Sequence, residues 1–400
     1  MKDDLPPERR EGGRTRRAIQ AMLAPAMLPA YASSAMRMLR RRLRGAHRHP
    51  GDAISICRGI VDACWTGDYF AASGGHFRQF WIRDFGFSAP SLIRLGHGAR
   101  VEASLAWALE AWARHGRVTT TVFPGRRPAD VYTFGIDSLP FLLLSLESGR
   151  HEALVRRHAG WLGPEVVRYG LEALDRRTGL VRDDRRFSTH RDTVRTASNC
   201  YANTMLVVLH GVLRRTGWFP SPIPAAPADR LIDAFWRGDH FSDRPDRDEV
   251  TGDANVFPFW LGAVPDALGL AAALTALERA GLTRPLPLRY AARRDRASED
   301  RVQRLFVPDY QGSAIWTSLG TIYLALLRRV DPPTAAAGLA GYARLVERDA
   351  TLWEVLTDDL QPYRGRFGLY LADEAMLWAS ILLEELLAAG HVSDAAPVSS

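Results

Sequence analysis

Lysine is almost absent from this sequence, since Lys2 is its single lysine and arginine supplies the other basic residues. The formal net charge is +7 and the pI is near 9.6. An arginine bias of this extent is typical of a GC-rich coding sequence, so the basic excess alone is poor evidence for a nucleic-acid ligand. We therefore expect no nucleic-acid partner.

Cysteines and long apolar runs are scarce as well. Three cysteines, Cys57, Cys64 and Cys200, cannot form a disulfide framework and show no CxxC spacing. No stretch approaches eighteen uncharged apolar residues, so no transmembrane segment is predicted. A mildly apolar run at 21–35 follows a basic start, but two prolines interrupt it. Export is therefore the minority interpretation, and a cytoplasmic location is expected.

Cofactor and metal motifs are also missing. The sequence contains no phosphate-binding P-loop, no GxGxxG after a strand, no HExxH and no GxSxG motif. Its histidines are scattered at spacings that do not suit a metal ion. We therefore expect neither a cofactor nor a metal.

The chain begins with a basic segment, residues 1–50, which is predicted to be a flexible or partly helical extension. Its arginine clusters leave open a weak contact with an anionic membrane surface or RNA, although a solvated tail is the simpler interpretation. Residues 51–392 are predicted to form one catalytic domain, and residues 393–400 a flexible tail.

Apolar residues recur at the helical period from residue 52 onward, whereas alternating strand patterns are scarce. The segment 99–116, for example, carries Val101, Leu105 and Trp112 on one face and ends at a glycine. About a dozen such segments predict an all-α domain of six helical hairpins, each of roughly 55 residues. The charged run 289–304 is predicted to present a solvated helix face.

Long connecting segments separate the predicted helices and are dense in aromatic, acidic and arginine residues. They cover residues 65–80, 115–137, 235–260 and 352–373. Long loops in a compact domain usually serve function, and aromatic-rich loops are rarely disordered. The pattern therefore predicts a helical toroid whose loops build a pocket at one end.

The stretch FRQFWIRDFG, which begins in the first of these regions and ends at Gly86, sets Asp84 beside Arg83 among aromatic residues. An apolar setting raises the pKa of a carboxyl group, as the acid that cleaves a glycosidic bond requires, and a second, ionised carboxylate completes the reaction. Side chains of helical neighbours diverge by about 100°, so Arg83 is not expected to pair with Asp84. The competing interpretation is that Asp84 caps the following helix.

A family resemblance adds to this interpretation. FWIRDFGFSAPSLIRLG resembles the signature that carries the general acid in the neutral and alkaline invertases. These enzymes belong to the six-hairpin (α/α)6-barrel glycosidases, together with glucoamylases, trehalases and the processing and debranching α-glucosidases. The resemblance implies an (α/α)6 barrel in which Asp84 is the general acid.

Further segments match the same family in the same order. YTFGIDSLPFLLLSL implies that Asp137 contacts sugar, and VPDYQGSAIWTSLG implies that Trp316 lies at the pocket rim. LWEVLTDDL, with the helix that follows, implies that Glu354 is the general base. The rival carboxylate Glu374 is explained by a helix first turn, where the macrodipole favours acidic residues. The complete predicted substrate-binding set is Trp81, Arg83, Phe85, Asp137, Asn203, Trp316, Tyr363 and Trp378.

The sequence thus predicts an inverting glycoside hydrolase that acts on an α-glucoside or a related small saccharide, with the carboxyl groups of Asp84 and Glu354 about 6.5–9.5 Å apart. The alternative is a helical toroid that binds a saccharide or a partner chain without cleaving it. In that case Glu354 would point away from a cavity lined by Asp84 and Asp137. The sugar and its linkage stay open at this point.

Overall fold

Two kinds of helix alternate along the chain. The structure, a computed structural model, describes residues 33, 36–41, 43, 45–131, 133–192, 198–296, 298–368 and 370–390. In chain order, its helices from residue 53 onward are α1 (Ala53–Cys64), α2 (Ile82–Leu92), α3 (Gly98–His115), α4 (Ser138–Ser148), α5 (Glu152–Ala173), α6 (Cys200–Thr216), α7 (Pro227–Phe235), α8 (Gly252–Trp260), α9 (Leu270–Arg279), α10 (Arg301–Phe306), α11 (Thr317–Val330), α12 (Pro332–Asp349) and α13 (Ala379–Ala388).

The two kinds differ in how much of their surface is buried. Helix α11 is buried at every position from Thr317 to Leu327, and α2, α4, α6, α8 and α13 are similarly enclosed. Helices α1, α3, α5, α7, α9 and α12 instead bury one stripe, as the spacing of Leu154, His158 and Leu162 along α5 illustrates. The first kind therefore forms an inner layer and the second an outer layer.

The inner helices form a closed ring in the order α2, α4, α6, α8, α11 and α13, with α13 packed against α2. The outer helices pack around this ring, and α1 closes it by packing against both α12 and α13. Six inner and six outer helices in this arrangement make an (α/α)6 toroid, so the predicted fold class is confirmed.

All the inner helices begin at the same end of the toroid. Contacts between their first turns establish this, for example the Trp378 Nε1–H that donates to the Thr317 hydroxyl over 2.8 Å. Short strands order the loops there: β1 (Phe80–Trp81), β2 (Thr121–Phe123) and β3 (Arg127–Ala129) form one antiparallel sheet, and β4 (Ile315–Trp316) pairs with β5 (Val355–Leu356). The long loops predicted from the sequence therefore meet at one end, but residues 252–260, predicted to be part of a loop, form the inner helix α8.

Residues 289–304 correct one sequence prediction. A solvated helix was expected along this stretch, but among its described residues only those of α10, from Arg301 onward, are helical. Tyr290 is fully buried and Arg294 forms an ion pair with Glu299 over 2.7 Å. The charges therefore pair within an irregular loop and do not line a solvated helix.

At the start of the chain, residues 36–41 are helical and residues 45–50 continue irregularly toward α1. The rest of the predicted extension before residue 33, and the predicted tail at 393–400, lie outside the described residues. Among the described residues, no helix combines the length and apolar character that a bilayer crossing requires.

A glycine where α2 meets α4 offers a test of this packing. A Cβ added at Gly86 would lie 2.4 Å from the Phe141 Cβ, so Gly86→Ala should destabilise the fold by about 1–3 kcal/mol through overpacking. Gly160, on the outer helix α5, has nothing within 4 Å of an added Cβ. Gly160→Ala should therefore stabilise the protein by up to about 1 kcal/mol. Urea denaturation of both variants measures the contrast, and equal effects would contradict the inner-ring contact.

Candidate active site

Asp84 lies in the first turn of α2 and keeps part of its surface exposed. The N-cap of this helix is Trp81, so Asp84 does not cap it. Within the described part of the chain, the Asp84 side chain makes no hydrogen bond or ion pair. Burial raises the pKa of Asp84 to about 7, and the negative charge of Glu354 adds to the rise against the opposing charge of Arg83. Asp84 is therefore substantially protonated near neutral pH.

Arg83 turns away from Asp84 into a buried network. Its Nε donates to Asp137 Oδ2 over 2.5 Å, and its Nη1 donates to Asp192 Oδ2 over 2.9 Å. The Tyr201 hydroxyl also donates to Asp137 Oδ2, over 2.8 Å. The expectation that the two adjacent charges diverge is thus met, because two other carboxylates bind the guanidinium.

Glu354 stands just before β5, where the pairing of β5 with β4 brings it to the start of α11. Its Oε1 accepts a hydrogen bond from the Tyr310 hydroxyl. Its Oε2 accepts one from the Tyr370 hydroxyl over 2.5 Å and one from the Asp373 backbone N–H over 3.1 Å. Burial raises the pKa of Glu354, while both tyrosine hydrogen bonds oppose the rise. The donors therefore favour its ionised form.

Glu374, the rival candidate for the base, has an environment that the sequence did not indicate. Helix α13 begins only at Ala379, so the predicted helix first turn does not account for Glu374. Its carboxylate instead forms a buried ion pair with Arg41. Burial and the neighbouring Asp373 raise the pKa of Glu374 to about 7. A carboxylate held by an arginine in this way is poorly placed to accept a proton from water.

A second buried arginine, Arg191, lies in a loop that contacts the start of α8. Arg191 pairs with Asp243 over 2.6 Å and lies 3.2 Å from Asp253, which belongs to the GDANVFPFW segment. Burial raises the pKa of Asp253 to about 6, against the attraction of Arg191. His190 lies nearby, 4.8 Å from Phe257 between ring centroids, and burial holds its pKa well below the usual range. The imidazole is therefore neutral.

Several predicted substrate-binding residues are buried, and their contact with a sugar stays a prediction. Arg83 and Asp137 are 6% and 0% exposed and bind each other. Phe85 is 1% exposed within the core. The Asn203 side chain is 2% exposed and bonds to the Val181 backbone N–H over 2.8 Å. Trp378 is 2% exposed. These residues belong to the wall of the toroid.

The other three predicted contacts are Trp81, Trp316 and Tyr363. Trp81 keeps partial exposure two residues before Arg83. Trp316 and Tyr363, each 7% exposed, have ring centroids 5.0 and 5.6 Å from that of Tyr310, which bonds to Glu354. Sugar contact by these three aromatic residues stays a prediction.

Several residues of the site were missed in the sequence. Tyr310 and Tyr370 bind Glu354, and Asp192 and Tyr201 complete the Arg83 network. Tyr310 lies within the matched segment VPDYQGSAIWTSLG, so an aromatic donor there was the available signal. The other three carry no local signal, since their roles depend on contacts between distant segments.

The described residues contain no group of three or more His, Cys, Asp or Glu side chains arranged to hold a metal ion. A shallow depression of about 510 Å³ lies at the other end of the toroid, lined by residues such as Trp260, Asp266 and Arg329. Asp266 and Arg329 pair with each other over 3.3 Å there. Asp84 and Glu354 therefore lie at the opposite end of the toroid from this depression, where the inner helices begin.

Chemically, this end combines a carboxyl group that keeps its proton near neutral pH with a carboxylate that receives three hydrogen bonds. Such a difference in environment separates a general acid from a general base.

No protein-family model matches the chain, and no curated protein sequence matches it.

Solved structures do match. One is a glycosidase variant with a TM-score of 0.60 at 15% identity, covering 84% of this chain and 97% of that one. A rhamnosidase from Klebsiella oxytoca with rhamnose bound has a TM-score of 0.58 at 15% identity, covering 86% of this chain and 66% of that one.

A mannosylglycerate hydrolase from Thermus thermophilus, in complex with Tris and D-glycerate, has a TM-score of 0.52 at 15% identity and covers 84% of this chain and 100% of that one. The chain shares the six-hairpin (α/α)6 fold of these solved structures. The resemblance seen in the sequence is confirmed at the level of the fold. Identities of 15% carry no further conclusion about activity.

The Arg83 network gives a stability test. Arg83→Met leaves the carboxylates of Asp137 and Asp192 buried without their cation, so we expect a loss of about 3–5 kcal/mol in the free energy of unfolding. Arg94 forms an ion pair with Glu384, but its side chain is 53% exposed. Arg94→Met should therefore cost less than about 1 kcal/mol. Urea denaturation at pH 7 compares the two, and a cost below 1 kcal/mol for Arg83→Met would contradict the network.

Proposed function

We propose that the protein is an inverting glycoside hydrolase, with Asp84 as general acid and Glu354 as general base. The observation that carries this proposal is the raised pKa of Asp84, about 7, to which the charge of Glu354 contributes. Asp84 thus has a proton to give near neutral pH, and Glu354 lies within electrostatic reach of it. We further propose that the enzyme is cytoplasmic, since its three cysteines are free and buried.

In the proposed reaction, the Asp84 carboxyl group donates its proton to the glycosidic oxygen as the bond to the anomeric carbon breaks. Glu354 accepts a proton from a water molecule that attacks the anomeric carbon from the opposite face. The products are the free aglycone alcohol and a sugar of inverted anomeric configuration. The tyrosine donors to Glu354 orient its carboxylate toward that water.

The proposed substrate is an α-glucoside or a related small saccharide. One structurally similar glycosidase variant is in complex with glucose, whereas other similar structures are a rhamnosidase and a mannosylglycerate hydrolase. Trp81, Trp316 and Tyr363 are the aromatic residues proposed to contact the sugar, because the apolar face of a pyranose packs against an aromatic ring. Binding without cleavage is disfavoured, since the charge of Glu354 raises the pKa of Asp84 and the two carboxyl groups therefore lie near each other.

A panel of p-nitrophenyl glycosides and natural disaccharides tests the activity, with NMR used to detect the first anomer released. We expect turnover of at least one α-glycoside, with the β-anomer released first. Release of the α-anomer would contradict the inverting mechanism. No turnover of any panel member would contradict the hydrolase itself.

Asp84→Asn separates the catalytic from the structural effect of this carboxyl group. We expect kcat/KM to fall by about 10²–10⁴, because general acid catalysis is lost while the fold remains. Asp62→Asn is the matched control, since its carboxyl is 63% exposed in a surface pair with Arg100. Equal activity of Asp84→Asn and the control would rule out Asp84 as the acid.

The same variant should be more stable than the wild type at pH 8. The pKa of Asp84 rises from about 3.9 in the unfolded chain to about 7 in the folded protein. The stabilisation from its proton is therefore complete below pH 4 and is lost as the pH rises through 7. We expect Asp84→Asn to gain on the order of 2 kcal/mol at pH 8 and nothing at pH 4, as measured by urea denaturation. A gain that does not depend on pH would contradict the raised pKa.

Tyr370→Phe tests the environment of the base. Losing this donor should raise the pKa of Glu354, so the acidic limb of the kcat/KM profile should move upward by about 1 pH unit. Tyr69 serves as the control, because its hydroxyl donates to the Arg78 carbonyl over 2.8 Å and does not bind Glu354. An unchanged limb in Tyr370→Phe would show that Glu354 is not the group that titrates.

A further inference from the structure

The basic segment before residue 50 makes a contact that the proposed reaction does not explain. Arg41, at the end of the helical residues 36–41, has a side chain only 7% exposed. Its Nη2 donates to the Ala372 carbonyl over 2.5 Å, and its Nη1 donates to the Leu371 carbonyl over 3.3 Å. Its guanidinium lies 5.3 Å from the ring centroid of Trp353. One arginine thus joins three segments that are distant in sequence.

These contacts lie on both sides of Glu354. Trp353 directly precedes Glu354 in the chain. Leu371 and Ala372 lie between Tyr370 and Asp373. The Tyr370 hydroxyl and the Asp373 backbone N–H are the two donors to Glu354 Oε2. The Glu354 backbone N–H also donates to the Asp373 carbonyl over 2.9 Å. Arg41 therefore holds the segment that orients the Glu354 carboxylate.

The charges around Arg41 strengthen this connection. Arg41 forms an ion pair with Glu374 and lies 3.6 Å from Asp373. The Asp373 carboxylate accepts hydrogen bonds from the Ser73 hydroxyl over 2.5 Å and from the Phe77 backbone N–H over 2.9 Å. Loss of the Arg41 cation would leave Glu374 buried without its ion pair, beside an Asp373 carboxylate that keeps its contact with His76 over 2.8 Å, and an unpaired buried carboxylate is costly. The 371–374 segment would then shift to relieve this destabilisation.

The Asp373 carboxylate also reaches the loop that leads to the acid. Residues 73–77, which it binds, directly precede β1 and the Asp84 turn of α2. The contacts that run from Arg41 to Asp373, and from Asp373 to residues 73–77, thus reach the loops of both candidate catalytic groups. An ordinary solvated tail would make no such contact.

We propose that Arg41 is a positioning residue for Glu354, and that the helical residues 36–41 complete the active site. This inference rests on the proposed hydrolase function. It assigns the segment a role inside the toroid and does not require a membrane or RNA partner. The partner of Arg41 in this role is the 371–374 segment of the same chain.

The test compares Arg41→Ala, Arg41→Lys and Arg40→Ala in the full-length chain. Arg40 is the matched control, since its side chain is exposed on the same helical turn. We expect Arg41→Ala to lower kcat by about 10–100-fold with KM within about twofold, because a base displaced by about 1 Å loses that much rate. Added guanidinium ion should restore part of the activity to Arg41→Ala and none to Arg40→Ala. Arg41→Lys should retain an intermediate activity, since it keeps the charge without the forked geometry.

Hydrogen exchange gives a readout that does not depend on turnover. We expect faster exchange of backbone amides in residues 370–375 of Arg41→Ala, but not of Arg40→Ala, in protein shown to be folded by circular dichroism. Unchanged exchange there would overturn the inference even if the wild type hydrolysed no glycoside. If the wild type is active and Arg41→Ala matches Arg40→Ala in kcat, the inference fails while the hydrolase proposal stands.

Discussion

The candidate site depends on the buried ion pairs between the Arg83 guanidinium and the carboxylates of Asp137 and Asp192. The guanidinium carries a full positive charge in the wall of the toroid, and Asp137 and Asp192 neutralise it. Asp137 stands at the start of α4, and Tyr201 on α6 bonds to the same carboxylate oxygen. The network therefore ties three neighbouring inner helices together where they begin. An uncompensated charge at this position would be very costly.

Because Arg83 is already paired with Asp137 and Asp192, it forms no ion pair with its neighbour Asp84. Burial raises the pKa of Asp84, and the carboxylates of Glu354, Asp137 and Asp192 add to the rise against the charge of Arg83. Glu354 has the opposite environment, with two hydroxyl donors and one backbone donor. Burial raises the pKa of both carboxyl groups at this end of the toroid, but hydrogen-bond donors oppose the rise at Glu354 alone. This difference is what acid–base cleavage of a glycosidic bond requires.

The sequence predicted the fold more completely than the site. Helical periodicity and the long aromatic loops indicated six hairpins, because each helix carries its own pattern of apolar residues. Depth within the toroid has no such local signal. Phe85, Asn203 and Trp378 were expected to contact sugar, yet they lie in the wall because the inner helices are buried on nearly every side. The contact of Arg41 with Glu374 joins segments over 330 residues apart, so no periodicity could have revealed it.

The protonation state of Asp84 is the central claim, and carbon-13 NMR of aspartate side-chain carboxyl groups measures it directly. Spectra of labelled wild type and Asp84→Asn, recorded from pH 4 to pH 9, identify the Asp84 signal by difference. The account predicts that this signal titrates with a pKa of about 7. A signal that titrates near 4, the value of an ordinary exposed aspartate, would contradict it.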